Sequence, residues 1–249
     1  MTQLTHRVAV VTGGSRGIGA AVARKLANLG ATVVIVYRSS EREAMEVVQS
    51  IVDAGGTAVA FAADVADTQA VSALIATIVA RFGHIDILVN NAGIFEARGL
   101  LDMDADHVRR LFESNMGSVW QMTKAAVPHF PPTGGRIVNV SSNLIYSPRP
   151  GTGMYAASKA AISVLTHAFA NELGARGITV NAVAPSMTRT DMTAETPEAR
   201  RQAVMAATPL GRIGEPSDIA DVIAFLASDG SRWVTGRTLL TDGGLTDGL

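Results

Sequence analysis

Short runs of β-branched and other apolar residues recur along the chain, separated by longer stretches whose apolar residues fall three and four apart. The first run, 7–11, predicts a strand leading into a helix over 17–29 that stops at Gly30. The alternation continues with a strand over 32–37, a helix over 41–54 broken by Gly55-Gly56, a strand over 57–62, a helix over 68–82 and a strand over 85–89. Helices over 104–115 and 118–130, a strand over 136–140, a helix over 155–174 and a strand over 178–184 follow. A helix over 218–227 and a short strand over 238–240 close the pattern. Strands apolar on both faces need cover on both sides, so the pattern predicts a parallel α/β sheet between two helical layers. No linker, repeat or low-complexity tract interrupts it, so residues 1–249 read as one domain. The most irregular stretch, 185–214, follows a strand end and contains a helical piece over 198–207; within it, 186–212 is a candidate substrate lid.

Composition narrows the possible functions. The 249 residues are 47% apolar and 17% charged, enough for a sizeable core. A net charge of −1 offers no basic field to nucleic acid or an anionic membrane. There are no cysteines, hence no disulfides or thiolate chemistry, and the five histidines form no His-x-x-x-His pair, so no metal site is expected. Apolar runs are strand-sized and the N-terminus lacks the apolar core of a secretion signal, so a soluble cytoplasmic protein is expected.

The first strand runs into Thr12-Gly13-Gly14-Ser15-Arg16-Gly17-Ile18-Gly19 and then a helix. Such a junction aims free backbone N–H groups and the positive helix end at whatever lies in front, and Gly13, Gly17 and Gly19 keep side chains clear of a diphosphate. The spacing is neither Gly-x-Gly-x-x-Gly nor a P-loop. Gly13-x-Ser15-x-Gly17 also satisfies the nucleophile elbow of a serine hydrolase, but too little chain precedes it for that fold, and the last histidine, His167, comes too early to complete a triad. The second strand ends at Tyr37-Arg38 rather than at an acid that would clasp a ribose 2′-hydroxyl. Arg16 and Arg38 instead suit a 2′-phosphate, which predicts NADP(H).

Far downstream, Tyr155 and Lys159 stand one helical turn apart on one face. A phenol is a sluggish proton donor near neutrality; an adjacent ammonium stabilises phenolate and is expected to lower its pKa. Ser142, thirteen residues before Tyr155, is placed to hold a carbonyl oxygen as charge develops on it.

With these motifs the chain resembles the short-chain dehydrogenase/reductase family along essentially its whole length. The resemblance rests on Thr12 to Gly19, Asp64-Val65, Asn90-Asn91-Ala92-Gly93, Asn115, Ser142, Tyr155, Lys159 and Asn181-Ala182-Val183-Ala184-Pro185. It implies a Rossmann-type doubly wound parallel sheet of about seven strands in the order 3-2-1-4-5-6-7. It also implies a catalytic set of Asn115, Ser142, Tyr155 and Lys159, with Asn115 holding a water that relays protons to Lys159. NADP(H) would then be bound by Gly13, Ser15, Arg16, Gly17, Ile18, Gly19, Tyr37, Arg38, Asp64, Val65, Asn91, Ala92, Gly93, Tyr155, Lys159, Pro185, Ser186, Thr188 and Thr190. Asp64 would meet the adenine edge, Val65 the ring, and Thr190 the nicotinamide amide or the diphosphate. Asn90 reads instead as a brace between strands. Pro185-Ser186 departs from the family's usual Pro-Gly.

Pro209-Leu210-Gly211-Arg212-Ile213-Gly214-Glu215-Pro216 and Thr241-Asp242-Gly243-Gly244 resemble bacterial 3-oxoacyl-carrier-protein reductases and their paralogues. Those enzymes tend to offer basic residues to an acidic carrier just before the fifth strand. Here residues 129–135 contain no Lys or Arg, while Arg176 remains at a second such place, where it also reads as a cap for its own helix. The leading expectation is a carbonyl reductase, reversible as an alcohol dehydrogenase, acting on a small free ketone or aldehyde. Ile94, Phe95, Leu144, Ile145 and the lid would shape its pocket. A carrier-bound acyl substrate and a non-enzymatic NADPH-binding regulator are the alternatives. A homotetramer is implied by resemblance, and the helix at Tyr155, apolar on every side, supports it.

Overall fold

The computed structural model describes residues 3–246. Seven strands form one parallel sheet in the order β3-β2-β1-β4-β5-β6-β7, as the resemblance implies. They are β1 (Val8–Thr12), β2 (Thr32–Tyr37), β3 (Thr57–Ala62), β4 (Ile87–Asn90), β5 (Gly135–Val140), β6 (Ile178–Pro185) and β7 (Thr238–Thr241). Alternate side chains of β1 serve opposite layers: Ala9 and Val11 enter one core, Val8 and Val10 the other. The first core is covered by α1 (Gly17–Asn28), α2 (Glu41–Asp53) and α8 (Pro216–Leu226). The second lies under α3 (Thr68–Phe82), α5 (Ser118–Ala126) and α6 (Gly153–Leu173). Burial on both faces explains why the strands read as unbroken apolar runs.

Most boundaries lie within a residue or two of the sequence reading, the helices expected from 155 and 218 starting at Gly153 and Pro216, and two differences have identifiable reasons. The fourth strand starts at Ile87 instead of 85 because Asp86 is used as an anchor. Its buried carboxylate accepts the Val8 N–H at 2.8 Å and pairs with Arg7 at 3.0 Å and His84 at 2.9 Å. The helices expected over 104–115 and 118–130 are one continuous rod: α4 (Ala105–Phe112), a π-helical turn (Glu113–Gly117), α5 and a 3₁₀ turn (Val127–His129). α7 (Glu198–Ala207) lies in the lid segment, as expected. Among the described residues no helix is long and apolar enough to cross a membrane.

The strand order changes direction between β1 and β4: the chain builds outward to β3 on one side and then to β7 on the other. In open α/β sheets the crevice beyond the strand ends at such a point is where ligands bind.

Candidate active site

Beyond β1 the glycine loop is shaped by contacts that exclude side chains. A Cβ on Gly19 would overlap the Gly13 carbonyl oxygen and stand 2.6 Å from Asn91 Nδ2. Gly13 and Gly17 have φ of +62° and +54°, which non-glycine residues rarely adopt. Thr12, which the sequence marks as the first residue of the motif without giving it a role, organises the junction. Its buried hydroxyl oxygen accepts the N–H groups of Asn91 and Ala92, each at 3.0 Å. Asn91 lies beside the loop, but its amide donates to the carbonyls of Thr12 (2.9 Å) and Gly13 (3.1 Å), so it shapes the cradle from within. Asn90 donates to Asn139 Oδ1 at 2.9 Å, bracing β4 against β5. Ser15 is buried in the loop, and Ile18 packs on the first core. His167 Nδ1 lies 3.1 Å from the Cβ position of Gly236, and Gly236 hydrogen-bonds Val180 on β6, so this histidine is no partner for Ser15.

At the end of β2, Tyr37 closes the strand, with Arg38 next and Arg16 in the glycine loop. No acid ends β2, as the sequence indicates, but carboxylates from elsewhere in the chain approach the guanidiniums. Arg38 lies 3.9 Å from Asp64, and Arg16 lies 3.7 Å from Asp191. Both pairs are exposed and longer than a hydrogen bond, so an incoming phosphate can displace them. Asp64 also accepts the Ala66 N–H at 2.9 Å, and Val65 packs on the second core.

The 186–212 segment, the candidate lid, begins where β6 ends. Pro185 pairs with Thr241 of β7, and the Ser186 hydroxyl donates to the Asp242 carbonyl at 3.4 Å. Thr188 is buried, donates to the Ser186 carbonyl at 3.0 Å, and forms an isolated bridge with Gly214 that ties the two lid ends together. Thr190 Cγ2 lies 3.1 Å from the Cβ position of Gly17, so the lid's first turn covers the glycine loop.

Across the crevice, the end of β5 and the start of α6 are joined residue by residue. Asn139 Nδ2 donates to Thr166 Oγ1 at 2.9 Å, and Lys159 Nζ to the Val140 carbonyl at 2.9 Å. Ser141 Oγ donates to the Lys159 carbonyl at 2.9 Å and lies 3.2 Å from Ser163 Oγ. Beyond them, the Ser142 side chain stands toward the Tyr155 phenol and favours its ionised form. Breaking one such buried bond strands its partner, at a cost of about 1–3 kcal/mol, so the zipper fixes the helix register against the strand. Its sequence signal is faint: polar Asn139, Ser141 and Ser142 at the end of a buried strand, and Thr166 two turns beyond Lys159.

Asn115 sits in the π turn and is fully buried. Its Oδ1 accepts the Ile94 N–H at 2.8 Å, while Nδ2 donates to the Ile94 carbonyl (3.1 Å) and to Ser158 Oγ (2.9 Å). The side chain therefore clamps the β4 end to α6. Gly93 makes room: its Cβ position lies 2.8 Å from Asn115 Oδ1 and 3.2 Å from Lys159 Nζ. The Phe95 ring stands edge-on to Tyr155, with centroids 4.9 Å apart and planes at 77°.

Burial governs the electrostatics. It pushes the Tyr155 phenol up to about 12, against the pull of Ser142. It pulls Lys159 down to about 8. The lowering of the phenol expected from Lys159 is outweighed, because the ammonium lies 6.0 Å from the ring centroid and donates to Val140. Tyr155 is thus a protonated, donating phenol throughout the neutral range.

A glycine cradle at the switch point and a Ser–Tyr–Lys group facing it define an oxidoreductase of the dinucleotide-dependent type. A family model described as Enoyl-(Acyl carrier protein) reductase matches residues 13–246. The 3-oxoacyl-[acyl-carrier-protein] reductase FabG of Pseudomonas aeruginosa is 40% identical, over 97% of this chain and 98% of its own. The 3beta-hydroxysteroid dehydrogenase 1 of Eggerthella lenta is 42% identical over 98% and 95%. The crystal structure of a short chain dehydrogenase from Burkholderia cenocepacia in complex with NADP superposes with a TM-score of 0.93 at 41% identity, covering 98% and 99%. The chain belongs to the short-chain dehydrogenase/reductase family.

Proposed function

We propose that this protein is an NADPH-dependent carbonyl reductase, reversible as an alcohol dehydrogenase, acting on a free ketone or aldehyde. The observation that carries it is the buried, protonated Tyr155 hydroxyl beside Ser142, across the crevice from the glycine cradle. The cradle's side-chain-free surface fits a dinucleotide diphosphate, and Arg16 and Arg38 fit a 2′-phosphate. NADPH when bound supplies the hydride. Ser142 holds the carbonyl oxygen, and Tyr155 hands it the proton. Lys159 is positioned to hydrogen-bond the nicotinamide ribose, and Asn115 backs it on the route for proton resupply. NADPH oxidation with a panel of ketones, with Tyr155→Phe as control, tests the reading; a panel without turnover would favour an NADPH-binding regulator.

Relatives named as 3-oxoacyl-[acyl-carrier-protein] reductases favour a second reading, with a carrier-bound substrate. Against it, the 129–135 segment has no Lys or Arg, and Arg176 donates to the Val127 carbonyl at 3.0 Å. Arg176 therefore caps the neighbouring 3₁₀ turn instead of its own helix, the role expected from sequence.

A pH profile tests Lys159. Because kcat/KM for NADPH reports ionisations of the free enzyme, it should fall as pH rises through about 8, where Lys159 loses its charge. Unfolding would not explain that fall. Lys159 binds its proton more weakly in the folded protein than at its ordinary value of 10.5, so its contribution to stability rises between these values. The opposing loss from Tyr155 begins only above its ordinary value of 10.0. A profile flat to pH 10 would remove Lys159 from coenzyme binding.

We also propose a homotetramer. α6 buries Ile162, Thr166 and Ala170 against the sheet and leaves Val164 69% exposed, while Trp120 on α5 is 44% exposed in the same layer. A second copy covers such a surface. Val164→Arg should convert tetramer to smaller species in light scattering; an unchanged mass would place the interface elsewhere.

A further inference from the structure

The turn that follows β7, Asp242-Gly243-Gly244-Leu245-Thr246, is folded on itself by its own acid. The buried Asp242 carboxylate accepts the Gly244 N–H at 3.0 Å and the Thr246 N–H at 2.8 Å, and the Asp242 carbonyl accepts the Leu245 N–H at 3.2 Å. Gly243 and Gly244 have φ of +67° and +84°, a pair of left-handed positions that side chains oppose.

This turn touches two parts of the site that are otherwise separate. One is the lid. The Gly243 carbonyl accepts the Leu210 N–H at 3.3 Å. The Cβ position of Gly243 lies 2.8 Å from Thr208 Cγ2, and that of Gly244 lies 3.0 Å from Pro209 Cγ, so the far end of the lid rests on bare backbone. The near end is tied to the same turn by the Ser186 hydroxyl, which donates to the Asp242 carbonyl. A glycine at 186, the family's usual residue, could not make that bond. The other part is the 3₁₀ turn Asn143–Ile145, which Ser142 caps and which holds the candidate pocket residues Leu144 and Ile145. Asn143 is buried, and its Nδ2 donates to Thr246 Oγ1 at 3.3 Å, across 103 residues of sequence.

We propose that Asp242–Thr246 is a strut that sets the width of the substrate cleft, with Thr246 and Asn143 as positioning residues that select among ketones by bulk. This rests on the carbonyl-reductase reading. Neither side chain has to meet the substrate. Geometry at a reacting carbonyl is unforgiving, so a small drift of the Ser142 turn away from the lid is felt in turnover although the reacting groups are unchanged.

The test uses the full-length enzyme with NADPH and butanone, octan-2-one and acetophenone. Thr246→Val keeps the side-chain shape and removes the hydroxyl. It should raise KM for the best wild-type ketone about three- to tenfold while NADPH affinity, from fluorescence titration, stays within about twofold. The loss in kcat/KM should be smaller for bulkier ketones, so the preference narrows, and Thr246→Ser should restore it. Asn143→Ala should act alike, and combining it with Thr246→Val should add little, because the two residues share one bond. Hydrogen exchange gives a readout without turnover. Thr246→Val should speed exchange at the Ile145 and Tyr146 amides, and Asp242→Asn, which releases one of the two bound N–H groups, at the Leu210 amide as well, with α1 unchanged. Additive losses in the Asn143–Thr246 pair, or equal losses for every ketone together with weakened NADPH binding, would overturn the strut and leave the reductase reading standing. If no ketone is turned over, the reductase reading fails and exchange alone judges the strut. Protection unchanged in both variants, or lost throughout the fold, overturns it.

Discussion

Replacing Tyr155 by Phe is expected to lower kcat for ketone reduction by about 10²–10⁴-fold while leaving NADPH affinity nearly unchanged. The substitution removes one oxygen and keeps the ring, so the edge-on contact with Phe95 survives and the fold is not disturbed. What is lost is the proton donor. Burial holds the phenol at about 12, so at neutral pH it is fully protonated and no neighbouring group replaces it. Ser142 is a poor substitute, because an aliphatic hydroxyl is a far weaker acid than a phenol. Steady-state kinetics together with fluorescence titration of NADPH separate the two effects. Retention of more than about a tenth of kcat would transfer the proton to another group and sink the mechanism.

The second large effect belongs to the cradle. Gly19→Ala should weaken NADPH binding by about a hundredfold or more and destabilise the fold by about 1–3 kcal/mol. The new methyl would meet backbone, the Gly13 carbonyl oxygen, as well as Asn91 Nδ2 at 2.6 Å. Neither can yield cheaply, because Asn91 is held by the carbonyls of Thr12 and Gly13. The loop must therefore shift, and with it the N–H groups that would face the diphosphate. Gly174→Ala is the matched control, since nothing lies within 4 Å of its Cβ position. It should bind NADPH like the wild type and melt no lower. Calorimetry and thermal melts of the two variants decide the matter, and equal affinities would mean that the diphosphate lies elsewhere.

Much of the site could be read in one dimension because its chemistry depends on local spacing. Gly13, Gly17 and Gly19 lie within a single strand–helix junction. Tyr155 and Lys159 share a helix face whatever the rest of the chain does. Other features depend on residues far apart in sequence. Asp191 near Arg16 and Asp64 near Arg38 could not be read this way, since neither carboxylate is a sequence neighbour of its arginine. The π turn at Asn115 has no periodic signature, because one extra residue in a helical turn leaves the apolar pattern on either side intact. For the same reason the pattern reads as two helices where the chain forms one rod.

The amino-acid order alone determined the alternation of strand and helix, the glycine junction and the tyrosine–lysine spacing, because hydrophobic period and helical pitch act over a few residues. Only the folded chain decided which way the Asn91 and Asn115 amides point, and how Asn139, Ser141 and Thr166 lock β5 to α6. It also set the ionisation of Tyr155 and Lys159. Those properties arise from desolvation and from contacts between residues distant in sequence, which exist only once the sheet and its covering helices have closed around them.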